Sequence, residues 1–268
     1  MPKTVERFES HSVINGAQAV AMALLRDGVV ALDNIISCTK LNDIYRQLRD
    51  ENPVYFDETL LGQSEDNLCV GNKRYVLNPA LTGALADRDV FANKYVLSVA
   101  RYALGDDAIL ESFGMIMCFP GSERQHIHRD GVLYTSGLAG LLPPFALTVA
   151  IPLIEMNDFF GATAFWPGSH LKHEKQEDIS KCISTCIQVG SCAIWDFRTY
   201  HMGLPNNSEI ARPVLYITYA KSWFRDVINF KRKNQRRVSF ARGFLENLLE
   251  EDKPLFAHLR CFDFGLID

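Results

Sequence analysis

The chain has 268 residues, 47% of them hydrophobic and 22% charged, with a formal net charge of -4. Such a composition can bury a full-sized core and argues against disorder. The faintly negative charge supplies no field for nucleic acid or an anionic membrane, which leaves small molecules as the expected partners.

The residues from Met1 to Ser10 are charged and lack an apolar leader, and no apolar run is long enough to span a bilayer. The closing Gly-Leu-Ile-Asp is not a peroxisomal tripeptide, so a cytoplasmic protein is expected. The seven cysteines (Cys38, Cys69, Cys118, Cys182, Cys186, Cys192 and Cys261) are odd in number and mostly set in apolar runs, a pattern of reduced, buried thiols. A zinc knuckle of Cys182, Cys186, Cys192 and His173 is disfavoured because paired C-x-x-C spacing is absent.

In chain order, a helical pattern runs from Ala17 to Arg26 and closes at Gly28, followed by an apolar strand at Val29 to Leu32 and a helix at Leu41 to Leu48. One further helix is predicted from Asp89 to Leu104, stopping at Gly105. From Phe113 to Ser222 the texture changes to short strands between turn signals, including Met115 to Phe119, Leu147 to Ile154, Cys192 to Phe197 and Val214 to Ala220. Strands without long intervening helices point to an antiparallel sandwich or jelly roll. The tail from Phe240 to Leu249 reads as one more amphipathic helix. No repeat or linker divides the sequence, so one domain over residues 1–268 is expected: helical support to about 110, a jelly-roll core over about 111–223, and a helix over about 239–251. The fold class is mainly β with flanking α-helices.

The segment Gln125-His-Ile-His-Arg-Asp-Gly131 follows a strand and the turn Pro120-Gly121. In extended chain alternate side chains share a face, so His128 and Asp130 project together while Arg129 points away. An imidazole and a carboxylate so placed can grip one metal ion, and His201, just past a strand, is the leading third ligand. Two histidines and a carboxylate on one face of an octahedral iron leave positions for a chelating co-substrate and O2. Arg212 opens the strand Val214 to Ala220, and the turn Pro205-Asn-Asn-Ser208 is expected to fold that strand back beside His201 as its antiparallel partner. A guanidinium there can take the far end of a dicarboxylic keto acid.

These residues, with Gly161-Ala-Thr163, Trp166-Pro-Gly-Ser-His170, Gly190, Asp196 and Asn207-Ser208, resemble the phytanoyl-CoA dioxygenase (PhyH) family of Fe(II)/2-oxoglutarate-dependent oxygenases. The likeness runs from the Asp27-Gly-Val-Val-Ala-Leu32 element to about Trp223. It implies a double-stranded β-helix (jelly-roll, cupin-like), Fe(2+) held by His128, Asp130 and His201 as the catalytic centre, and 2-oxoglutarate and O2 as co-substrates. It further implies that Arg212 binds the distal carboxylate, that Gln125 faces the pocket as in members acting on secondary metabolites, and that Thr163 helps bind the co-substrate. Decarboxylation to succinate and CO2 would then yield an oxidant for an unactivated C–H bond. Asp130 argues against the related halogenases, which carry a small residue in its place. Two departures stand out: Phe160-Gly161 replaces the usual Asn-Gly, and Gly203 occupies a position where several relatives carry a hydroxyl near the co-substrate.

His126 shares a strand face with His128 and competes as a ligand or lines the pocket, and His170 is read as structural. An apolar pocket formed by Tyr134, Met115, Met117 and Phe145, with Asn72 from the segment Asn72-Lys-Arg-Tyr75 as a polar contact, suits a small natural product such as an alkaloid, terpenoid or polyketide-peptide. Leu138 to Phe145 serves as a lid, packs on a helix or faces a second subunit of a homodimer. The run Lys231 to Arg237 reads as a solvated surface turn rather than a phosphate-contacting patch. A non-catalytic metal-binding jelly roll and an oxygenase acting on a macromolecule are the rival readings.

Overall fold

Gly28 ends the first helix because it adopts φ 78°, and its N–H closes on Leu24 O at 2.7 Å. That helix, α1 (Ser10–Asp27), begins seven residues earlier than the sequence suggested and kinks at Gly16. The structure is a computed structural model that describes residues 4–63, 68–133, 136–230, 236–259 and 264–267.

The strands in order are β1 (Arg7–Glu9), β2 (Val29–Asp33), β3 (Leu68–Gly71), β4 (Arg74–Leu77), β5 (Ile109–Cys118), β6 (Ala146–Pro152), β7 (Thr163–Phe165), β8 (Ile183–Ser184), β9 (Cys192–Asp196), β10 (His201–Gly203), β11 (Arg212–Ala220), β12 (Val238–Ala241) and β13 (Phe264–Ile267). The remaining helices are α2 (Cys38–Glu51), α3 (Glu58–Gln63), α4 (Arg88–Phe91) and α5 (Lys94–Leu104). Eight strands form one sheet in the order β1-β2-β9-β6-β11-β5-β4-β3, antiparallel except for the β1–β2 edge. A smaller sheet, β10-β7-β8, faces it. The class is thus mostly β with flanking helices, and the first hundred residues supply four strands as well as the helical support.

Where one helix was expected from 89 to 104 there are two. Asn93 interrupts the run: its Oδ1 accepts from the N–H groups of Tyr95 and Val96, capping α5, while its Nδ2 donates to Ile35 O and Asp89 O.

The tail helix over 239–251 is replaced by strand β12 and a chain of turns. Gly243 has φ 84°, and the rings of Phe240, Phe244 and Phe256 cluster with Phe91 at centroid distances of 5.3–5.7 Å. Aromatic packing together with the Leu81 N–H bond to Ser239 O holds this segment against the local helical pattern.

Alternation along β5 sorts the two faces of the large sheet. Phe113, Met115 and Met117 are buried against residues of α1, α2, α4 and α5, whereas Ser112, Gly114 and Ile116 are part-exposed on the opposite face. A second apolar cluster, with Ala150, Trp195 and Val214 from the large sheet and Ala162 and Phe165 from the strand β7 region, packs the sheets together. No described helix is long and apolar enough to cross a membrane. Of the described cysteines, Cys118 and Cys192 are buried, Cys182 is half-buried, and Cys38, Cys69 and Cys186 are exposed, so the expectation of uniformly buried thiols is corrected.

Candidate metal centre

His128 and Asp130 do not lie on a regular strand as expected. His128 instead forms an isolated antiparallel bridge with His201, each N–H bonding the other's carbonyl at 3.0 and 2.9 Å. His201 is held in turn by β10 pairing with β7, where it faces Phe165. The bridge sets the two imidazoles with centroids 4.3 Å apart, and the i, i+2 relation brings Asp130 to the same side. One ligand atom from each of His128, Asp130 and His201 lies within 4.8 Å of the other two. Among the described residues this is the sole such group, and Cys182, Cys186, Cys192 and His173 form none.

Outer contacts orient all three side chains. His128 Nδ1 faces His126 O at 2.9 Å and His201 Nδ1 faces Thr199 O at 3.0 Å. Since a carbonyl only accepts, each Nδ1 carries a proton, which leaves Nε2 as the nitrogen available to a metal. Asp130 Oδ2 accepts from Thr148 Oγ1 at 2.7 Å and from Trp195 Nε1 at 2.8 Å, leaving Oδ1 3.4 Å from His201 Nε2. Asn229 Nδ2 donates to the Asp130 main-chain oxygen at 3.0 Å. Burial pushes the Asp130 carboxyl up, but His201, His128 and the Thr148 hydroxyl outweigh it and hold the group down to about 2. Burial, reinforced by His201, lowers His128 to about 4. Burial pulls His201 down, but the Asp130 carboxylate outweighs it and raises the imidazole, so a metal entering here displaces a proton from His201. An ionised carboxylate with two imidazoles is then the donor set that a divalent transition metal takes.

Trp195→Phe keeps the ring but removes one of the two donors to Asp130 Oδ2. Metal affinity is expected to fall about 10- to 100-fold, with the carboxylate free to rotate. Equilibrium dialysis against Fe(II) or Mn(II) measures this, and an unchanged affinity would mean that the indole N–H does not orient the carboxylate.

The centre opens into a cavity of about 630 Å³ between the two sheets, lined by His128, Asp130, His201, Gln125, Thr163 and Arg212 among others. Arg212 reaches it by a different route from the expected hairpin. β11 pairs with β5 and β6, β10 pairs with β7, and the link between them crosses from one sheet to the other. Asn206 pins that crossing by donating to Cys118 O and Ile210 O.

The same register reveals a residue that sequence reasoning passed over. Cys118 is the lateral partner of Arg212 on one side and of Arg74 on the other, so both guanidinium side chains belong to the cavity face. Arg74 is 1% and Arg212 2% exposed, and among the described residues neither has a carboxylate partner. Arg212 Nη1 meets only Met156 Sδ at 3.6 Å, Arg74 Nη2 donates to Leu204 O, and both Nε atoms lack a partner. Burial depresses the Arg74 pKa, and the Arg212 charge adds to the effect. Gly203 makes the room: a Cβ there would collide with Arg74 Nη1 and stand 2.6 Å from Gln125 Oε1. Gln125 is fixed by accepting from Gly203 N at 3.0 Å and donating to Val70 O at 2.9 Å.

Other expectations fare unevenly. Thr163 is buried on the cavity wall. His126 is exposed at the rim, its ring 5.0 Å from that of His128 and outside the ligand group. Asn72 sits exposed in the β3–β4 turn and does not line the cavity, because the chain reverses there, with Lys73 at φ 54°, before β4 carries Arg74 inward. Met115 touches the cavity from a buried position in the helix-facing core, and Met117 and Phe145 lie wholly in other apolar clusters. Tyr134 lies outside the described residues. Leu138 and Leu141 are exposed and do not line the cavity. His170 is buried and bonded to Leu25 O at 3.0 Å. In the basic run, residues 231–235 lie outside the described residues, and Arg237 is not solvated but buried in an ion pair with Glu111. Thr148, Trp195 and Asn229 also escaped prediction, since only the pairing of distant segments brings them to Asp130.

The model of the phytanoyl-CoA dioxygenase (PhyH) family matches residues 24–214. Dioxygenase aneA of Aspergillus aculeatus is 22% identical over 78% of this chain and 72% of its own length. Dioxygenase af480 of Aspergillus fumigatus is 27% identical over 54% of this chain, an alignment that spans about half (48%) of that relative. Among solved structures, the epimerase SnoN in complex with Fe3+, alpha ketoglutarate and nogalamycin RO has a TM-score of 0.59 at 16% identity, covering 84% of this chain and 95% of its own. HygX from Streptomyces hygroscopicus, with nickel, 2-oxoglutarate and hygromycin B bound, has a TM-score of 0.58 at 12% identity, covering 76% and 87%. At such identities the two structures speak to the fold.

Proposed function

The chain belongs to the phytanoyl-CoA dioxygenase (PhyH) family, and on that premise we propose that it is an Fe(II)- and 2-oxoglutarate-dependent dioxygenase oxidising an unactivated C–H bond of a small, largely apolar natural product. The facing sheets are read as a single-domain double-stranded β-helix. The observation that carries the reading is the pairing, in one cavity, of a metal-type donor set with two buried guanidinium groups that lack an anion. Two unpaired buried charges of one sign are costly, so the site expects a negatively charged occupant. A dicarboxylate able to chelate a metal at one end satisfies both halves.

In this reading His128, Asp130 and His201 hold the iron, and Arg212 with Arg74 receives the distal carboxylate, Gln125 and Thr163 lining the space between. Bound iron and 2-oxoglutarate together supply the O2 activation that no side chain can provide. The protein contributes the fixed tautomers of His128 and His201, the oriented Asp130 carboxylate and a walled cavity that places a substrate carbon beside the metal. Natural-product tailoring fits two of the structural neighbours, the epimerase SnoN from nogalamycin biosynthesis and HygX with hygromycin B bound.

The test is anaerobic addition of Fe(II) and 2-oxoglutarate. A visible chelate band is expected, followed by succinate once O2 is admitted. Absence of both would overturn the proposal. A substrate screen read by mass then separates the outcomes: a gain of about 16 mass units for oxygen insertion, a loss of about 2 for desaturation.

A further inference from the structure

The large sheet carries a row of side chains that the metal centre only half uses. Ser112, Thr218, Thr148 and Trp195 are lateral partners across four neighbouring strands, β5, β11, β6 and β9. Residues directly opposite one another share a face, so all four belong to one row. Thr148 and Trp195 are committed to Asp130 Oδ2. Ser112 and Thr218 continue the row into the cavity, which both line, and neither hydroxyl has a hydrogen-bond partner among the described residues. Asn78 lines the same region with an equally unengaged amide, admitted by the bare Cα of Gly114: a Cβ there would stand 3.0 Å from Leu77 O and 3.4 Å from Asn78 Oδ1. Ile116 on the floor and Ile228 and Phe230 on the opposing segment give this part of the cavity apolar surfaces.

We infer that Ser112, Thr218 and Asn78 form a subsite for a neutral oxygen substituent, a carbonyl or hydroxyl, on an otherwise apolar substrate. The inference rests on reading the cavity as the substrate site of the proposed oxygenase. All three groups are uncharged and can donate, so a neutral acceptor is the matching chemistry. The Asp226 carboxylate, which also lines the cavity, is spent: it accepts from Ile228 N, Asn229 N and Asn229 Nδ2. Arg74 and Arg212 are at the other end of the strand, six residues from Ser112 at Cys118, or about 20 Å of extended chain, so neither supplies a counter-charge for a substrate anion here. From Thr148, which holds Asp130, to Ser112 is two strand spacings, about 10 Å. The substituent therefore sits within about one ring system of the C–H bond presented to the metal.

The full chain can be titrated with 1-tetralone, tetralin and 1-naphthoate, observed by ligand NMR, with and without Mn(II) and 2-oxoglutarate. In the native protein loaded with Mn(II) and 2-oxoglutarate, so that Arg74 and Arg212 are occupied, the ketone should bind better than the carboxylate, and the two are compared in that state alone. Thr218→Val, which preserves shape, and Ser112→Ala should each weaken the ketone about three- to tenfold, the worth of one neutral hydrogen bond, while tetralin binding stays unchanged and certifies that the variant is folded. Should one variant fail to fold, the other decides alone. No binding of 1-tetralone to the native protein, equal losses for ketone and hydrocarbon, no loss in either variant, or a preference for the carboxylate would each overturn the inference. The Fe(II)–2-oxoglutarate chelate band involves neither hydroxyl. Its presence with no ketone preference sinks the subsite alone, and its absence with the preference intact sinks the oxygenase reading alone.

Discussion

His201→Ala is expected to lower divalent metal affinity by more than the 10- to 100-fold loss typical of removing an outer contact, and to abolish turnover. The imidazole is 4% exposed, its Nδ1 is spent on Thr199 O, and its Nε2 faces Asp130 Oδ1 at 3.4 Å, so no neighbouring side chain can take its place. Its loss also deprives the buried Asp130 carboxylate of the principal group that offsets burial, so the Asp130 pKa should rise from its depressed value. Protons then compete better with the metal at the remaining ligands. His170→Ala provides the contrast. That ring is buried against Leu25 O, away from the ligand group, and its truncation should cost stability while metal affinity holds. Equilibrium dialysis combined with thermal melting separates the two, and equal metal affinities in both variants would remove His201 from the proposed ligand set.

Arg212→Gln and Arg74→Gln should each weaken 2-oxoglutarate about 10- to 100-fold, the range for losing hydrogen bonds to a charged group. Binding of 2-oxopentanoate, which has a methyl group in place of the distal carboxylate, should change little. The sign of the stability effect is informative too. In the ligand-free protein the two guanidinium groups repel one another inside a buried cavity with no carboxylate beside either, so Arg212→Gln should leave the melting temperature unchanged or raise it. Affinity and stability moving in opposite directions is the signature of a charge kept for a ligand. If calorimetry in the presence of Mn(II) finds both keto acids weakened equally, the arginines do not bind the distal carboxylate.

His128, Asp130 and His201 were legible because local spacing and motif order carry them, and the cavity also receives Arg212, Gln125 and Thr163 as foreseen. What escaped is what only sheet pairing decides. Arg74 lies two positions from Asn72, in the very segment suspected of reaching a ligand, and one hairpin turn separates the exposed residue from the buried one. Composition places Met115 and Met117 in the pocket, but alternation along β5 turns both toward the helices, so that Met115 reaches the cavity only from the core and Met117 does not line it. The tail helix fails for a similar reason: Phe240 and Phe244 fit an amphipathic period, but Phe240 stacks on Phe244, whose ring packs on Phe91 and Phe256. Asn93 is a strong capping residue inside the apolar period, and its side-chain bonds, not the period, set where α5 begins.

The row Arg74–Cys118–Arg212 also bears on how faithfully the protein folds. A one-residue slip of β4 or β11 against β5 would turn a guanidinium into the helix-facing core and an apolar side chain into the cavity. Strand alignment is therefore policed from both sides at once, by the oil on one face and the water-seeking charge on the other. The same pairing that buries the core thus sets the accuracy of the ligand site.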